Sequence, residues 1–371
     1  MLPNALAAAL RGVPGVWADL DDPVRQQHFV EAASAHRVRP LLAWTLRRSG
    51  ELDRWPAAVR QSLVDAARAE AALEIARHRD LCRLMHAVAS AGIAVLVVKG
   101  ASLAYDLYAE PWLRPREDTD VMVRPEDVAR TVAVLAGAGY RAVPRPSGTL
   151  VAHQQLYVRS SPSRDAVDLH WKIADPAPFA DLLSADELFR DAVDLHLDAS
   201  CRARVPCRSH ALLLACWHRV AHHHDGERLL WLYDLHLLAA ALDDAGCRTV
   251  AEIAARTRTS AVCARELTLA SRHFQSPHVA RLLDQLQDTP ADHESPASRY
   301  LREDARKVDL LLADLRALPT WTSRARLVRE HLFPSADYMR ATYEGSHGMP
   351  LPALYAWRIV NGARRWFQRP R

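Results

Sequence analysis

Lysine is nearly absent from this sequence. Lys99, Lys172 and Lys307 are the whole complement, although lysine and arginine together number 48. Arginine carries the basic charge, and with so much alanine this matches the codon bias of a GC-rich genome; it also makes Lys99 an unusual choice. The net charge of +4 is too small to announce a nucleic-acid partner. No apolar run approaches the ~18 residues of a membrane span. None of the six cysteines forms a C-x-x-C, and Cys201-x5-Cys207 lacks the second close pair of a zinc knuckle. Reduced thiols in a cytoplasmic protein are therefore expected. Met1–Leu10 is apolar but has no basic leader segment, so it reads as the start of a helix. There is no low-complexity tract and no repeat at a solenoid period.

What remains is an ordinary globular composition, 49% hydrophobic and 25% charged over 371 residues. At ~100–200 residues per domain this length suggests two or three domains, or one with large helical extensions. Val24–Ala43 and Arg60–Ala91 carry apolar residues at helical spacing, separated by Trp55-Pro56. The texture then changes. Ile93–Val98 is a β-branched run between Gly92 and Gly100 and predicts a buried strand. Further strands are expected at Thr119–Val123, Leu156–Val158 and Ala166–Ile173, with helices at Ala101–Tyr108 and Glu126–Ala138, the second stopped by Gly139. From Pro176 the pattern is helical again, best at Ser209–His224, Arg228–Leu242 and Val250–Phe274. Gln275–Ser298 reads as a loop or linker, and the segment from Glu303 as helices broken by prolines. The expected class is α+β: a small mixed β-sheet core at 81–175, flanked by helical regions at 1–80, 176–275 and 276–371.

The mixed segment holds the chemistry. Asp118 and Asp120 lie two apart at a strand, so they share a face. Two adjacent carboxylates repel unless something compensates, and a divalent ion does so well. Asp168 and His170 share a face of a later strand, and if the strands are neighbours Asp168 joins the pair. Three carboxylates can hold the two metal ions of phosphoryl or nucleotidyl transfer. Val98-Lys99-Gly100-Ala101-Ser102 is a strand, a turn and a helix start. Gly100 permits close backbone approach, the amides of Ala101 and Ser102 can meet phosphate, and Lys99 and Arg114 supply positive charge. Taken singly, each piece also fits a structural role: the Asp-x-Asp an exposed strand edge, Lys99 an ion pair, Arg114-Pro115 a surface loop. The argument rests on their order within one short segment.

Together these residues resemble the polymerase-β-like nucleotidyltransferase superfamily, and within it an uncharacterised bacterial nucleotidyltransferase group. The likeness is carried by Lys99-Gly100-Ala101, Leu103, Tyr108, Arg114-Pro115, the run Asp118–Asp127, and Val167–Trp171. It continues through Leu212, His218, Arg228-Leu229, Trp231-Leu232 and Asp234, and His36 with Pro40-Leu41 fits near the start. The likeness spans about residues 20–270. The superfamily's usual turn is Gly-Gly or Gly-Ser, whereas Gly100-Ala101 stands here, and the stretch from Gly100 to Asp118 is longer than usual. The resemblance implies a mixed sheet and metal-dependent transfer of a nucleoside monophosphate from a nucleoside triphosphate. Asp118, Asp120 and Asp168 would be both catalytic and metal-binding, with two Mg2+ ions, or Mn2+ in their place. Lys99, Gly100, Ala101, Ser102 and Arg114 would bind the nucleotide, and His170, His218 and Asp234 would be secondary or acceptor-side residues. The acceptor stays open among a small molecule, a peptide, a protein and tRNA.

His218, His222, His223 and His224 lie on one predicted helix; His218 and His222 are spaced to chelate a metal, with Asp225 or Asp234 as a third ligand, but the expected role is a helix face packed near the active cleft. No glutamate follows His218, so the zinc-protease signature fails. The basic, aromatic tail Arg364–Arg371 is a weak signal for RNA. Two other functions compete: a non-catalytic nucleotide sensor on the same fold, and a toxin-type tRNA nucleotidyltransferase.

Overall fold

A computed structural model describes residues 2–146, 148–160, 166–223, 227–287, 295–302, 304–343 and 349–367. His224 of the predicted histidine helix, Asp225, named above as a candidate third metal ligand, and the last residues of the basic tail, 368–371, lie outside them.

The fold is α+β. Seven strands form one mixed sheet in the order β3-β4-β5-β2-β1-β7-β6. They are β1 (Leu96–Val97), β2 (Thr119–Met122), β3 (Arg141–Ala142), β4 (Gln154–Val158), β5 (Ala166–His170), β6 (Val193–His196) and β7 (Arg202–Val205). β2 runs antiparallel to β1 and parallel to β5, and β1 runs parallel to β7. The edge pairs β3–β4 and β6–β7 are antiparallel. The sheet therefore reaches beyond the expected boundary at residue 175. β6 and β7, four residues each, sit in a stretch read as helical.

Alternation along the central strands divides their side chains between two cores. Val121, Val167 and Leu169 pack with Leu81, Leu84, Met85 and Val88 of the long helix Ala57–Ser90, and with Leu135. That helix crosses the expected boundary at residue 80 without a break. Met122 on the other face joins a core with Leu212, Leu213 and Trp217 of the Arg208–His223 helix and Leu232 and Leu235 of the Leu229–Ala241 helix. Burying each such side chain is worth roughly 1.5–3 kcal/mol. This face carries the alternate residues Asp120, Asp168 and His170. The helical side is braced by a buried ion pair between Arg219 and Glu266 and by Trp217 Nε1 donating to Thr259 Oγ1 at 3.0 Å.

Two helical expectations change. Val250–Phe274 is two helices, Asp244–Arg256 and Ser260–Phe274, because Arg258 turns the chain with a φ of +56°. Part of the expected linker is the helix Pro277–Gln287, whose Val279, Leu282 and Leu286 are buried. Farther on, Glu330 of the Trp321–Leu332 helix accepts the backbone N–H groups of Thr149, Leu150 and Val151 at 3.1, 2.9 and 3.3 Å. The C-terminal region thereby holds the loop that leads into β4. Among the described residues, no helix is long and apolar enough to cross a membrane.

Candidate active site

The register of β2 and β5 places Asp120 opposite Asp168 and Met122 opposite His170. His170 Nε2 lies 3.1 Å from Asp120 Oδ1 and 3.2 Å from Asp168 Oδ2. The donor atoms of these three residues fall within 4.8 Å of one another, the geometry of a metal-binding group. Sequence reasoning ranked His170 as secondary, yet it belongs to this tight group. Asp118, one residue before β2, lies at its margin, close enough for its charge to be felt. Asp168 Oδ1 and His170 Nδ1 are buried and have no hydrogen-bond partner among the described residues. Buried polar atoms are nearly always satisfied, so Asp168 Oδ1 is a ligand position suited to a cation.

Lys99 enters the cluster from β1. Val98 N donates to Asp120 O at 3.0 Å, fixing the strand end, and Lys99 then adopts a φ of +52°. The other non-glycine residues of positive φ among those described, Arg37, Arg258 and Gln275, follow the ends of helices. Lys99 instead opens one, Lys99–Leu107. A left-handed conformation costs roughly 1–2 kcal/mol for a residue with a Cβ. The turn brings Lys99 Nζ to 2.9 Å from Asp120 Oδ1 and 3.2 Å from His170 Nε2. The expected glycine turn is thus a lysine turn. Gly100 matters for space: a Cβ there would stand 2.7 Å from Arg114 Nη1. Ser102 Oγ donates to Lys99 O at 3.0 Å, and Ala101 packs into the opposite core.

Burial and the neighbouring Asp120 push Asp118 up to about 7, with Asp168 adding to the effect and Lys99 opposing it. Asp120 moves the other way: burial would raise it, but Lys99 and His170 hold it well below the usual carboxylate range. Asp168 is also lowered, its contact with His170 outweighing burial. Burial and Lys99 work against a proton on His170, yet its hydrogen bonds to the two carboxylates raise it. Two carboxylates are thus held as anions, and a third is left without enough positive charge to ionise easily.

Above the sheet is a cleft of about 350 Å³, walled by the Arg208–His223 and Leu229–Ala241 helices. Lys99, Gly100, Ser102, Asp118, Asp120 and Asp168 line it on one side, His218, His222 and Trp231 on the other. Burial and Lys99 hold His218 well below its ordinary range and bring His222 to about 4. Both are neutral at physiological pH and face the cleft as hydrogen-bonding groups. His218 Nε2 and His223 Nε2 are 3.2 Å apart. Arg114 and Asp234, which also line the cleft, are paired with each other. Arg114 Nε and Nη2 donate to Asp234 at 2.9 and 2.6 Å, and Tyr108 Oη donates to Asp234 Oδ1 at 2.7 Å. Asp234 therefore orients Arg114, whose Nη1 remains beside Gly100. Sequence reasoning missed Arg37 and did not select Arg228, and both line the cleft. Arg228 stacks over Trp231 at 4.2 Å, and its pKa is lowered first by burial and then by Arg37. The signal for Arg228 lay in the Arg-Leu-x-Trp-Leu-x-Asp pattern. Arg37 had none beyond its neighbour His36.

Carboxylates on adjacent strands of a mixed sheet, with a basic cleft above them, are an arrangement that phosphoryl and nucleotidyl transfer can use. Residues 22–275 match the model of a family described as an uncharacterised nucleotidyltransferase, and the chain belongs to that family. It is accordingly a transferase of phosphorus-containing groups. No curated protein matches the chain.

Proposed function

We propose that the cleft transfers a nucleoside monophosphate from a nucleoside triphosphate, ATP among them, to an acceptor hydroxyl or phosphate, with Mg2+ as cofactor. The observation that carries this reading is the convergence of Asp118, Asp120, Asp168 and Lys99 on one cleft that Arg37 and Arg228 also line. Asp118, Asp120 and Asp168 would hold the metal, with two ions the expected complement; the unpartnered Asp168 Oδ1 supports the fit. Bound there, the cation neutralises phosphate charge and polarises the phosphoryl oxygens. Mg2+ suits the carboxylate oxygens, and the imidazole of His170 makes Mn2+ an alternative.

The residues divide the remaining work. Lys99, Arg37, Arg228 and Arg114 Nη1 bind the triphosphate and balance its charge. The acceptor oxygen attacks the α-phosphorus, the bond to the bridging oxygen breaks, and pyrophosphate leaves. Asp168 takes the acceptor's proton when the acceptor is a hydroxyl. Neutral His218 and His222, with Trp231, form the acceptor side, consistent with acceptor pockets lying between structural layers. Calorimetry with α,β-methylene triphosphates, which resist cleavage at the α-phosphorus, tests the reading. The wild type should bind at least tenfold more tightly with Mg2+, and Asp120→Asn should lose that gain. Metal-independent binding of equal strength in both proteins would overturn it.

A further inference from the structure

A second group of metal-ligating side chains lies away from the cleft. His78 and Cys82 are one turn apart on the Ala57–Ser90 helix, and Asp198 sits in the turn between β6 and β7. Their donor atoms lie within 4.8 Å of one another. Cys201, buried in the same turn, stands beside the Cys82 thiol but outside this group of three, and its backbone N–H donates to Asp198 Oδ1 at 2.8 Å. We propose that His78, Cys82, Asp198 and Cys201 form a structural zinc site that pins the β6–β7 turn to the long helix.

The distances fit that ion. Tetrahedral zinc with bonds of ~2.3 Å to sulfur and ~2.0 Å to nitrogen or oxygen separates sulfur from either by about 3.6 Å. Cys82 Sγ is 3.7 Å from His78 Nε2 and 3.8 Å from Asp198 Oδ2. His78 Nε2 and Asp198 Oδ2 stand 2.7 Å apart and must open to about 3.3 Å, a small side-chain movement. Asp198 is held ready. Its Oδ1 accepts from Ser200 N at 2.6 Å and Cys201 N at 2.8 Å, leaving Oδ2 to face the histidine. The far side of His78 is fixed as well. Tyr105 Oη donates to Glu74 Oε1 at 2.7 Å, so its oxygen accepts from His78 Nδ1, 2.9 Å away. With a proton on Nδ1, the Nε2 atom faces a carboxylate and a thiol, and either a second proton or a cation can sit between them. An outer partner that sets the histidine tautomer is typical of zinc ligands. Four protein ligands make a closed site, which is structural rather than catalytic. No cysteine lines the catalytic cleft, so thiolate ligation reports this site alone.

The test uses the full chain, purified without chelator, with metal content measured by mass spectrometry and the chelated protein then titrated with Co2+. The site predicts one firmly held zinc per chain and, with Co2+, a thiolate-to-metal charge-transfer band with tetrahedral d–d bands. Cys82→Ser and Cys201→Ser should lose the charge-transfer intensity stepwise, and His78→Ala should weaken Co2+ binding at least tenfold. Asp120→Asn should retain all these signals. Circular dichroism checks that each variant folds; should a cysteine variant fail to fold, His78→Ala and Asp198→Asn carry the test. A wild type whose thiols titrate as reduced but give no charge-transfer band would overturn the proposal. So would a band that survives in Cys82→Ser and Cys201→Ser, or one lost in Asp120→Asn.

Discussion

Asp118→Asn should make the metal-free protein more stable, and only at the higher pH. Folding moves the Asp118 carboxyl from 3.8 up to about 7, through burial and the charge of Asp120. A carboxyl raised in this way holds its proton more tightly folded than unfolded, so its contribution to stability falls as pH rises between those values and stays low above them. At roughly 1.36 kcal/mol per pKa unit the shift sets a ceiling of about 4 kcal/mol. Solvent at the margin of the cleft screens part of it, leaving about 1–2 kcal/mol. Asparagine has the shape of the protonated carboxyl and never ionises. In EDTA at pH 8 the variant should therefore melt about 1–3 °C above the wild type. Near pH 4 the two curves should nearly coincide. Thermal unfolding of both proteins across that range reads the difference directly. Equal midpoints at pH 8, or a variant less stable there, would refute the assignment of Asp118 as the carboxylate short of positive charge.

Other perturbations act on neighbouring parts of the site. Gly100→Ala drives a methyl to 2.7 Å from Arg114 Nη1, and because Asp234 clamps that guanidinium the residue cannot swing away. Overpacking of about 1–3 kcal/mol should appear as weaker triphosphate binding, measured by calorimetry; wild-type affinity would remove Arg114 from the site. Asp234→Ala leaves Arg114 buried without its counterion, so unfolding in urea should show a loss of about 3–5 kcal/mol, and a near-neutral result would show that the pair is not buried as described. Lys99→Gly removes the left-handed strain but also the ammonium at 2.9 Å from Asp120. Triphosphate binding should fall by at least tenfold while the thermal midpoint changes little, and unchanged binding would deny Lys99 a role with phosphate.

The carboxylates were legible in the sequence because strand periodicity is strict. Asp118 and Asp120 share a face of one strand, Asp168 and His170 share a face of another, and only the pairing that puts them on one face of the sheet had to be learned from the structure. The lysine turn was not legible. The turn was expected at Gly100 for close backbone approach, whereas Lys99 itself takes the left-handed conformation and from it reaches Asp120. Asp234 was legible as a cleft residue from its motif, but nothing in the motif revealed that Arg114 would take both its oxygens. β6 and β7 were missed because four residues such as Val193-Asp194-Leu195-His196 carry too little alternation to outweigh the surrounding helices. The helix Pro277–Gln287 was hidden by polar residues, although Val279, Leu282 and Leu286 follow helical spacing. The His78–Cys82 spacing lies in a long alanine-rich helix, and its partners are over a hundred residues away in the chain.

The central claim is nucleotidyl transfer from the Asp120–Asp168 cluster, and fate of label tests it most directly. The protein would be incubated with Mg2+, a cell extract as the source of acceptor, and a nucleoside triphosphate labelled at either the α- or the γ-phosphate. The account predicts that α-label passes to an acceptor, that γ-label leaves as pyrophosphate, and that Asp120→Asn and Asp168→Asn each abolish the transfer while remaining folded. Transfer of the γ-label, or α-label transfer undiminished in Asp120→Asn, would contradict it.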